Sequence, residues 1–312
     1  MGVSKSGRIM NEPTDVKHVF VCGLHRSGTT MLARHIANMK NCTSFKNTGA
    51  VMDEGQFLQD IYPPDTVYGG VGRFGFASQA HLTEMSPLLT PANVSRLQRS
   101  WAAYWDSNKS IRVEKTPANL LMTRFLQQVF ENAYFIVIKR HPVPVSLATQ
   151  KWSRTPLHKL LEHWLHCYSI IAQDKQYLRH VYEIKYEEYV NDPSRYLAEI
   201  AAFIDAEMSV ESTEDIDDAC NGRYFSRWGR MLESSPYKKY YRVVAQTYEK
   251  DVMAHGYSLM EPCRVRVAQV VTDKVIDRAA RTLLYVGAGI YVMPWRLQGL
   301  LKYKIKQAFA ED

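Results

Sequence analysis

His18-Val19-Phe20-Val21-Cys22-Gly23-Leu24-His25-Arg26-Ser27-Gly28-Thr29-Thr30 is the stretch on which the reading of this chain turns. Its first six residues form an apolar run closed by glycine, the mark of a buried strand, and residues 29–40 carry helical character. The join is therefore a tight loop from a strand into a helix, where backbone N–H groups and the helix N-terminus can surround an anion. Gly23 and Gly28 have the G-x-x-x-x-G spacing of a phosphate-binding loop. Thr29 stands where such a loop carries its lysine, and a cation appears instead inside the loop as Arg26. A glycine-rich turn without a ligand would not need Arg26, Ser27, Thr29 and Thr30 together, so an anion site is the better reading.

Outward from that loop, residues 134–138 form a second apolar run and 181–184 a weaker third, and Ile111-Arg112-Val113 reads as a short strand. Helical patterns occupy 120–130, 145–152, 157–178, 194–204 and 237–254, with Pro193 where a helix would start. Strands alternating with helices predict an α/β fold, P-loop-like and three-layered, with a central parallel sheet between flanking helices.

The 312 residues suit one large domain or two closely joined ones, and 46% hydrophobic against 23% charged residues excludes a disordered or fibrous chain. A formal charge of +7 suits an anionic ligand without calling for nucleic acid. Cys22, Cys42, Cys167, Cys220 and Cys263 are widely spaced and form no C-x-x-C pair, so neither a disulfide framework nor a zinc site is signalled. A reducing compartment fits this usage. The run at 134–138 ends in Lys139-Arg140 rather than in an aspartate that would help hold magnesium, so no metal is expected.

Residues 62–75, with Pro63, Pro64, Gly69, Gly70, Gly72 and Gly75, read as a mobile surface loop, and 211–218 as a solvated acidic connection. Gly70-x-Gly72-x-x-Gly75 formally matches a dinucleotide fingerprint, but it follows Pro63-Pro64 rather than a strand, which sets a nicotinamide reading aside.

His25-Arg26-Ser27-Gly28-Thr29-Thr30 resembles the 5′-phosphosulfate loop of the sulfotransferases that use 3′-phosphoadenosine 5′-phosphosulfate (PAPS). Glu114-Lys115-Thr116-Pro117 resembles that family's Glu-Lys-Thr/Ser-Pro segment, and Phe135-Ile136-Val137-Ile138-Lys139-Arg140-His141-Pro142 its strand ending in Arg-Asp/His-Pro. Lys185-Tyr186-Glu187-Glu188-Tyr189 with Asn191-Asp192-Pro193 is similar to its later Tyr-Glu and Asp-Pro segment. The resemblance, of a Golgi-type or bacterial-like kind, implies a sulfotransferase domain over 17–260, between a flexible leader at 1–16 and a C-terminal helical extension at 261–312. It implies PAPS as co-substrate and in-line transfer without a metal. A sulfuryl group carries less charge than a phosphoryl group, so fixed cations and backbone donors suffice.

Residue by residue, the resemblance places His25, Arg26, Ser27, Gly28, Thr29 and Thr30 on the donor's 5′-phosphosulfate. Arg26 would neutralise the departing phosphate and Lys115 would reach the transferred group. Arg140 would hold the 3′-phosphate in a forked contact. The family's helping serine eight positions later is Ala148 here. Lys151 returns to the same helical face, whereas Ser146 lies about 200° round; Ser146 and Thr149 are further options.

A hydroxyl acceptor, or an amine, needs a base within hydrogen-bond reach. Glu54, in Asp53-Glu54-Gly55-Gln56-Phe57, follows the first helix where Golgi-type enzymes carry a glutamate base, and it is favoured over His81, which follows the 62–75 loop. The plainer roles are a charge partner of Arg26 or Lys115 for Glu54, and a surface helix end for His81. The acceptor class stays open among carbohydrate, small alcohol, phenol and peptide, with Tyr62, Tyr68, Arg73, Phe74 and Phe76 either covering it or packing the core. A P-loop nucleotide or small-molecule kinase is the competing enzyme reading, and a non-catalytic nucleotide-binding module the competing non-enzyme reading. The expected location is cytoplasmic. The alternative is a peripheral membrane contact through the myristoylation pattern Met1-Gly2-Val3-Ser4-Lys5-Ser6 and the apolar, then basic, stretch beyond Thr282.

Overall fold

A computed structural model of the chain describes residues 16–209 and 220–262. The opening apolar run is strand β1 (Lys17–Cys22). Both of its faces are covered, which is why it reads as continuously apolar: Val19 and Val21 join one core and Phe20 and Cys22 the other. Then come helix α1 (Thr29–Ala37), strand β2 (Cys42–Ser44), α2 (Pro91–Ala102), β3 (Ile111–Glu114) and α3 (Thr123–Val129). The second half runs β4 (Ala133–Lys139), α4 (Pro142–Ser153), α5 (Leu157–Asp174), β5 (Val181–Lys185), α6 (Tyr186–Asn191), α7 (Pro193–Ile204), α8 (Cys220–Glu233) and α9 (Lys238–Ala254).

The five strands pair in the order β2-β3-β1-β4-β5, every pair parallel. The chain leaves β1 for β2 on one side, and β3 later crosses over to β4 on the other. The loop after β1 therefore sits at a switch point, where parallel sheets open a crevice at their C-terminal edge. That edge gathers the quoted motifs: the loop from Gly23 follows β1, Lys115 follows β3, Arg140 follows β4 and Tyr186 follows β5. The segment carrying Glu54 comes after β2.

On one face α1 and α7 press Leu32, Ile36, Ile200 and Ile204 onto Val19, Val21, Ile136 and Ile138. On the other, α2, α3 and α5 bring Trp101, Phe125 and Trp164 onto Phe20, Phe135 and Val137. A third cluster, with Leu147, Leu161, Trp228 and Ala245, ties α4 and α5 to α8 and α9. This is the predicted three-layer α/β arrangement.

Three helices, α2, α6 and α8, and the strand β2 add to what the periodicity predicts. The helical pattern at 120–130 divides into a 3-10 turn at Pro117–Leu121 and α3, because Met122 between them leaves helical geometry (φ −128°, ψ 15°). The 62–75 segment departs most from expectation. Tyr62 and Phe74 are fully buried, Arg73 donates to Ser153 O (2.9 Å) and Thr155 Oγ1 (2.8 Å), and the Gly75 N–H donates to His163 Nε2 (3.1 Å). Gly72 is left-handed (φ 76°), and a Cβ there would meet Leu160 at 2.5 Å. The glycines let this segment pack closely on α4 and α5 rather than leaving it mobile. Among the described residues no helix is long and apolar enough to cross a membrane. The Met1-Gly2 pattern, the acidic stretch 211–218, Cys263 and the apolar stretch 282–295 lie outside the described residues.

Candidate active site at the strand edge

The loop between β1 and α1 is held from both sides. Tyr168 of α5, fully buried, donates its hydroxyl to Ile138 O (3.0 Å) and so receives Leu24 N (3.4 Å) and Ser27 Oγ (3.3 Å). Ser27 is thereby turned inward to fix the loop. Gly28 is left-handed (φ 95°) with its Cα against Tyr186, where a Cβ would lie 2.6 Å from the ring, so only glycine fits. Arg26 is also left-handed (φ 71°), at a cost of about 1–2 kcal/mol for a residue with a side chain. Its guanidinium is exposed at the edge, 5.4 Å from the Trp152 ring. His25 sets Nε2 3.5 Å from the buried Asp65 carboxylate, and Thr29 is buried while Thr30 is partly open.

Arg140, at the end of β4, is buried and stacks 4.1 Å over Tyr186. Nη1 donates to Arg26 O (2.9 Å), while Nε and Nη2 both donate to Asn221 Oδ1 (2.9 and 2.6 Å). Asn221 in turn donates to Glu187 Oε1 (3.0 Å). Lys151 comes within 5.6 Å of the Tyr224 ring, and Arg140 lies 6.0 Å from the same ring, so α8 brings these two cations to one place. Ser146 is buried with its hydroxyl unpartnered among the described residues, and with Thr149 and His25 it lines a void of about 10 Å³, room for about one water.

Glu54 and Lys115 come together. Lys115 Nζ lies 3.0 Å from Glu54 Oε1 and 3.3 Å from Met52 O, and the two side chains are only 8% and 7% exposed. Met52 and Asp53 are both left-handed (φ 54° and 50°), conformations that aim the Met52 carbonyl and the next side chain at Lys115. Gly55 is clamped between the Glu114 carboxylate, which accepts its N–H (2.9 Å), and Trp101 Nε1, which donates to its carbonyl (3.0 Å). Burial pushes Glu114 up to about 7, against the Thr116, Gly55 and Lys115 interactions that pull it down. Thr116 Oγ1 (2.5 Å) and the Asn119 amide complete its shell, so Glu114 faces the interior and holds the Glu54 segment onto β3.

His81 is elsewhere. Its Nε2 is 2.7 Å from Asp174 Oδ2, in a network with Arg124 and Glu84. Asp174 ends α5 six residues past Tyr168, about 9 Å along the helix and away from the loop. The sequence reading misses Tyr168 and Trp152, and it notes Asn221 and Tyr224 only within the cation-and-aromatic stretch 221–228, which either closes over a ligand or forms a structural turn and to which it assigns no role. Tyr168 and Asn221 act through partners 30 or more residues away, which no local pattern shows.

An anion loop without the P-loop lysine, cations at neighbouring strand ends and a buried carboxylate beside them define a transferase of an anionic group. The profile of the sulfotransferase family matches residues 18–210, more than half of the chain. The chain belongs to that family and is a sulfotransferase. Among curated proteins none matches significantly. The chain is similar to the sulfotransferase domain of the olefin synthase from Synechococcus PCC 7002, at 15% identity over 76% of this chain and 97% of that one, with a TM-score of 0.44. It is likewise similar to sulfotransferase STF1 from Mycobacterium tuberculosis H37Rv (16% identity, 68% and 71% coverage, TM-score 0.40). Mouse sulfotransferase SULT7A1, solved with PAP, gives 17% identity, 71% and 68% coverage and a TM-score of 0.35.

Proposed function

We propose that Glu54 is the general base that lets this sulfotransferase move a sulfuryl group from PAPS to an acceptor hydroxyl. The observation that carries the proposal is the buried Glu54–Lys115 pair, set at the sheet edge by two left-handed residues. As the acceptor oxygen bonds to sulfur, its proton passes to a Glu54 oxygen, while the bond from sulfur to the phosphate oxygen breaks and adenosine 3′,5′-bisphosphate leaves. Lys115 turns from Glu54 to the transferred group, and Arg26 neutralises the leaving phosphate together with the backbone N–H groups of the loop and Thr29 and Thr30. Arg140 and Lys151 hold the 3′-phosphate, with Tyr186 stacked beneath Arg140. His25 orients from the other side of the loop, against Asp65.

Transfer without a metal follows from this division of labour and is checked by activity in EDTA. Cytoplasmic placement is part of the same reading, supported by three free buried thiols, Cys22, Cys42 and Cys167. Glu54→Gln tests the base: transfer of labelled sulfate should fall by about 100-fold or more, with affinity for adenosine 3′,5′-bisphosphate by calorimetry unchanged. Near-normal turnover in Glu54→Gln, with loss in His81→Ala instead, overturns the assignment.

A further inference from the structure

Beside the Glu54–Lys115 pair a cavity of about 600 Å³ runs along α1. One wall is a side of α1 and its C-cap, Thr30, Ala33, Arg34, His35, Ala37 and Asn38, so the cavity extends about 12 Å from the anion loop. The facing wall is Ser44, Phe45, Lys46 and Asn47, with Met52 and Asp53 further on, and Lys115 closes the end nearest the loop. The cavity thus opens on the β2–β3 side of the loop, whereas Arg140 and Lys151 lie on the β4 side. The donor and this cavity approach the same centre from opposite directions.

The lining chemistry is specific. Thr30, Ser44, Asn38 and Asn47 carry hydroxyls and amides that both donate and accept, as sugar hydroxyls do. Asp53 is a fixed acceptor: despite partial burial, hydrogen bonds from Thr48 hold its carboxyl below the usual range. Lys46 adds an exposed donor. Ala33, Ala37, Phe45 and Val113 add apolar surface, which suits the C–H faces of a sugar ring; a sterol or simple phenol would use that surface but strip water from the polar groups without replacing their hydrogen bonds, a cost a polyhydroxylated ligand avoids.

We propose that this cavity is the acceptor site and that it takes a polyhydroxylated acceptor, a carbohydrate, with the reacting hydroxyl at the Lys115 end. The inference rests on the sulfuryl-transfer reading above.

The test uses the full chain, labelled PAPS and two acceptor panels, neutral and acidic oligosaccharides against phenols and sterols. Saccharides should take the label. Asn38→Leu and Ser44→Val, both outside the loop and the Glu54–Lys115 pair, should each raise KM for the best saccharide about fivefold, while the Kd for adenosine 3′,5′-bisphosphate stays as in the wild type. Sulfation of phenols or sterols in preference to every saccharide overturns the carbohydrate inference and leaves sulfuryl transfer standing. An unchanged KM in both variants removes the cavity from acceptor binding. If the chain binds the bisphosphate but labels neither panel, the carbohydrate inference fails, and a further panel of small alcohols and peptides that also stays unlabelled overturns the proposed transfer itself.

Discussion

Lys115 sits in a nearly dry site with one carboxylate partner, so its removal acts twice. It deletes a donor to the transferred group, and it strands Glu54 as a buried charge, a loss of about 3–5 kcal/mol in stability. Lys115→Met should therefore be both inactive and less stable. The double variant Lys115→Met/Glu54→Gln should regain most of the melting temperature and stay inactive, since two neutral side chains no longer need each other. A double variant as unstable as the single one would mean that the pair is not the source of the loss. Arg26 is the contrasting case. Its guanidinium is exposed, so Arg26→Ala should leave the melting temperature within a degree or two and still lower turnover about 100-fold. Arg26, Lys115 and Glu54 could be singled out in the sequence because each is placed by the resemblance to a sulfotransferase motif; the contact between Glu54 and Lys115, foreseen as the plainer charge-pair role, is what the structure adds. Glu114 was legible only as a motif letter: that it clamps Gly55 depends on a contact across 59 residues, which periodicity cannot show.

At the scale of elements, α8 meets the proposed donor site through Asn221, whose Oδ1 takes the forked pair of Arg140 hydrogen bonds that a phosphate would take. If the 3′-phosphate binds there, Asn221 must yield. Asn221→Ala should then tighten adenosine 3′,5′-bisphosphate several-fold and leave AMP, which lacks the 3′-phosphate, unaffected. Arg140→Ala should weaken the bisphosphate strongly and AMP little, and calorimetry with both ligands decides each case. Equal effects on both ligands would remove the phosphate exchange. The helix α8 escaped the sequence reading because Asn221, Gly222 and Gly229 interrupt an otherwise amphipathic pattern, and β2 because three residues are too few to show alternation. The strands β1, β3, β4 and β5 were legible since each is a short apolar run bounded by turn residues or charges. The glycines at 69–75 were misread as a flexible loop, because glycine permits both mobility and close approach, and only the neighbours Leu160 and Thr149 decide between them.

For the molecule as a whole, three buried histidines make acid the weak direction. Burial holds His18 down to about 3, with Arg112 adding to it, and holds His163 down to about 3, with His25 and His166 adding to it. Burial likewise holds His141 down to about 4, against its hydrogen bond to Ser258. Two of them make bonds that suit only the neutral ring: His163 Nε2 accepts the Gly75 N–H, and His141 Nδ1 accepts the Val143 N–H. Each folded pKa lies below the unfolded 6.5, so the unfolded chain binds more protons as pH falls below 6.5, and stability is lost. Glu114 opposes this. Its folded value of about 7 exceeds the unfolded 4.5, so between those limits the folded state holds one extra proton. Three protons less one leaves two, and His255, which burial also holds below 6.5, adds to them, so the slope is at least about 2.7 kcal/mol per pH unit from about pH 6 down to 4.5. Urea unfolding at pH 7, 6 and 5 measures it. His18→Phe keeps the ring packing against Phe130 and Trp105 and removes one titrating group, so it should lower the slope by about 1.4 kcal/mol per pH unit. A slope unchanged in His18→Phe would show that His18 does not titrate between the two states, and a stability flat with pH would remove all three histidines from the account.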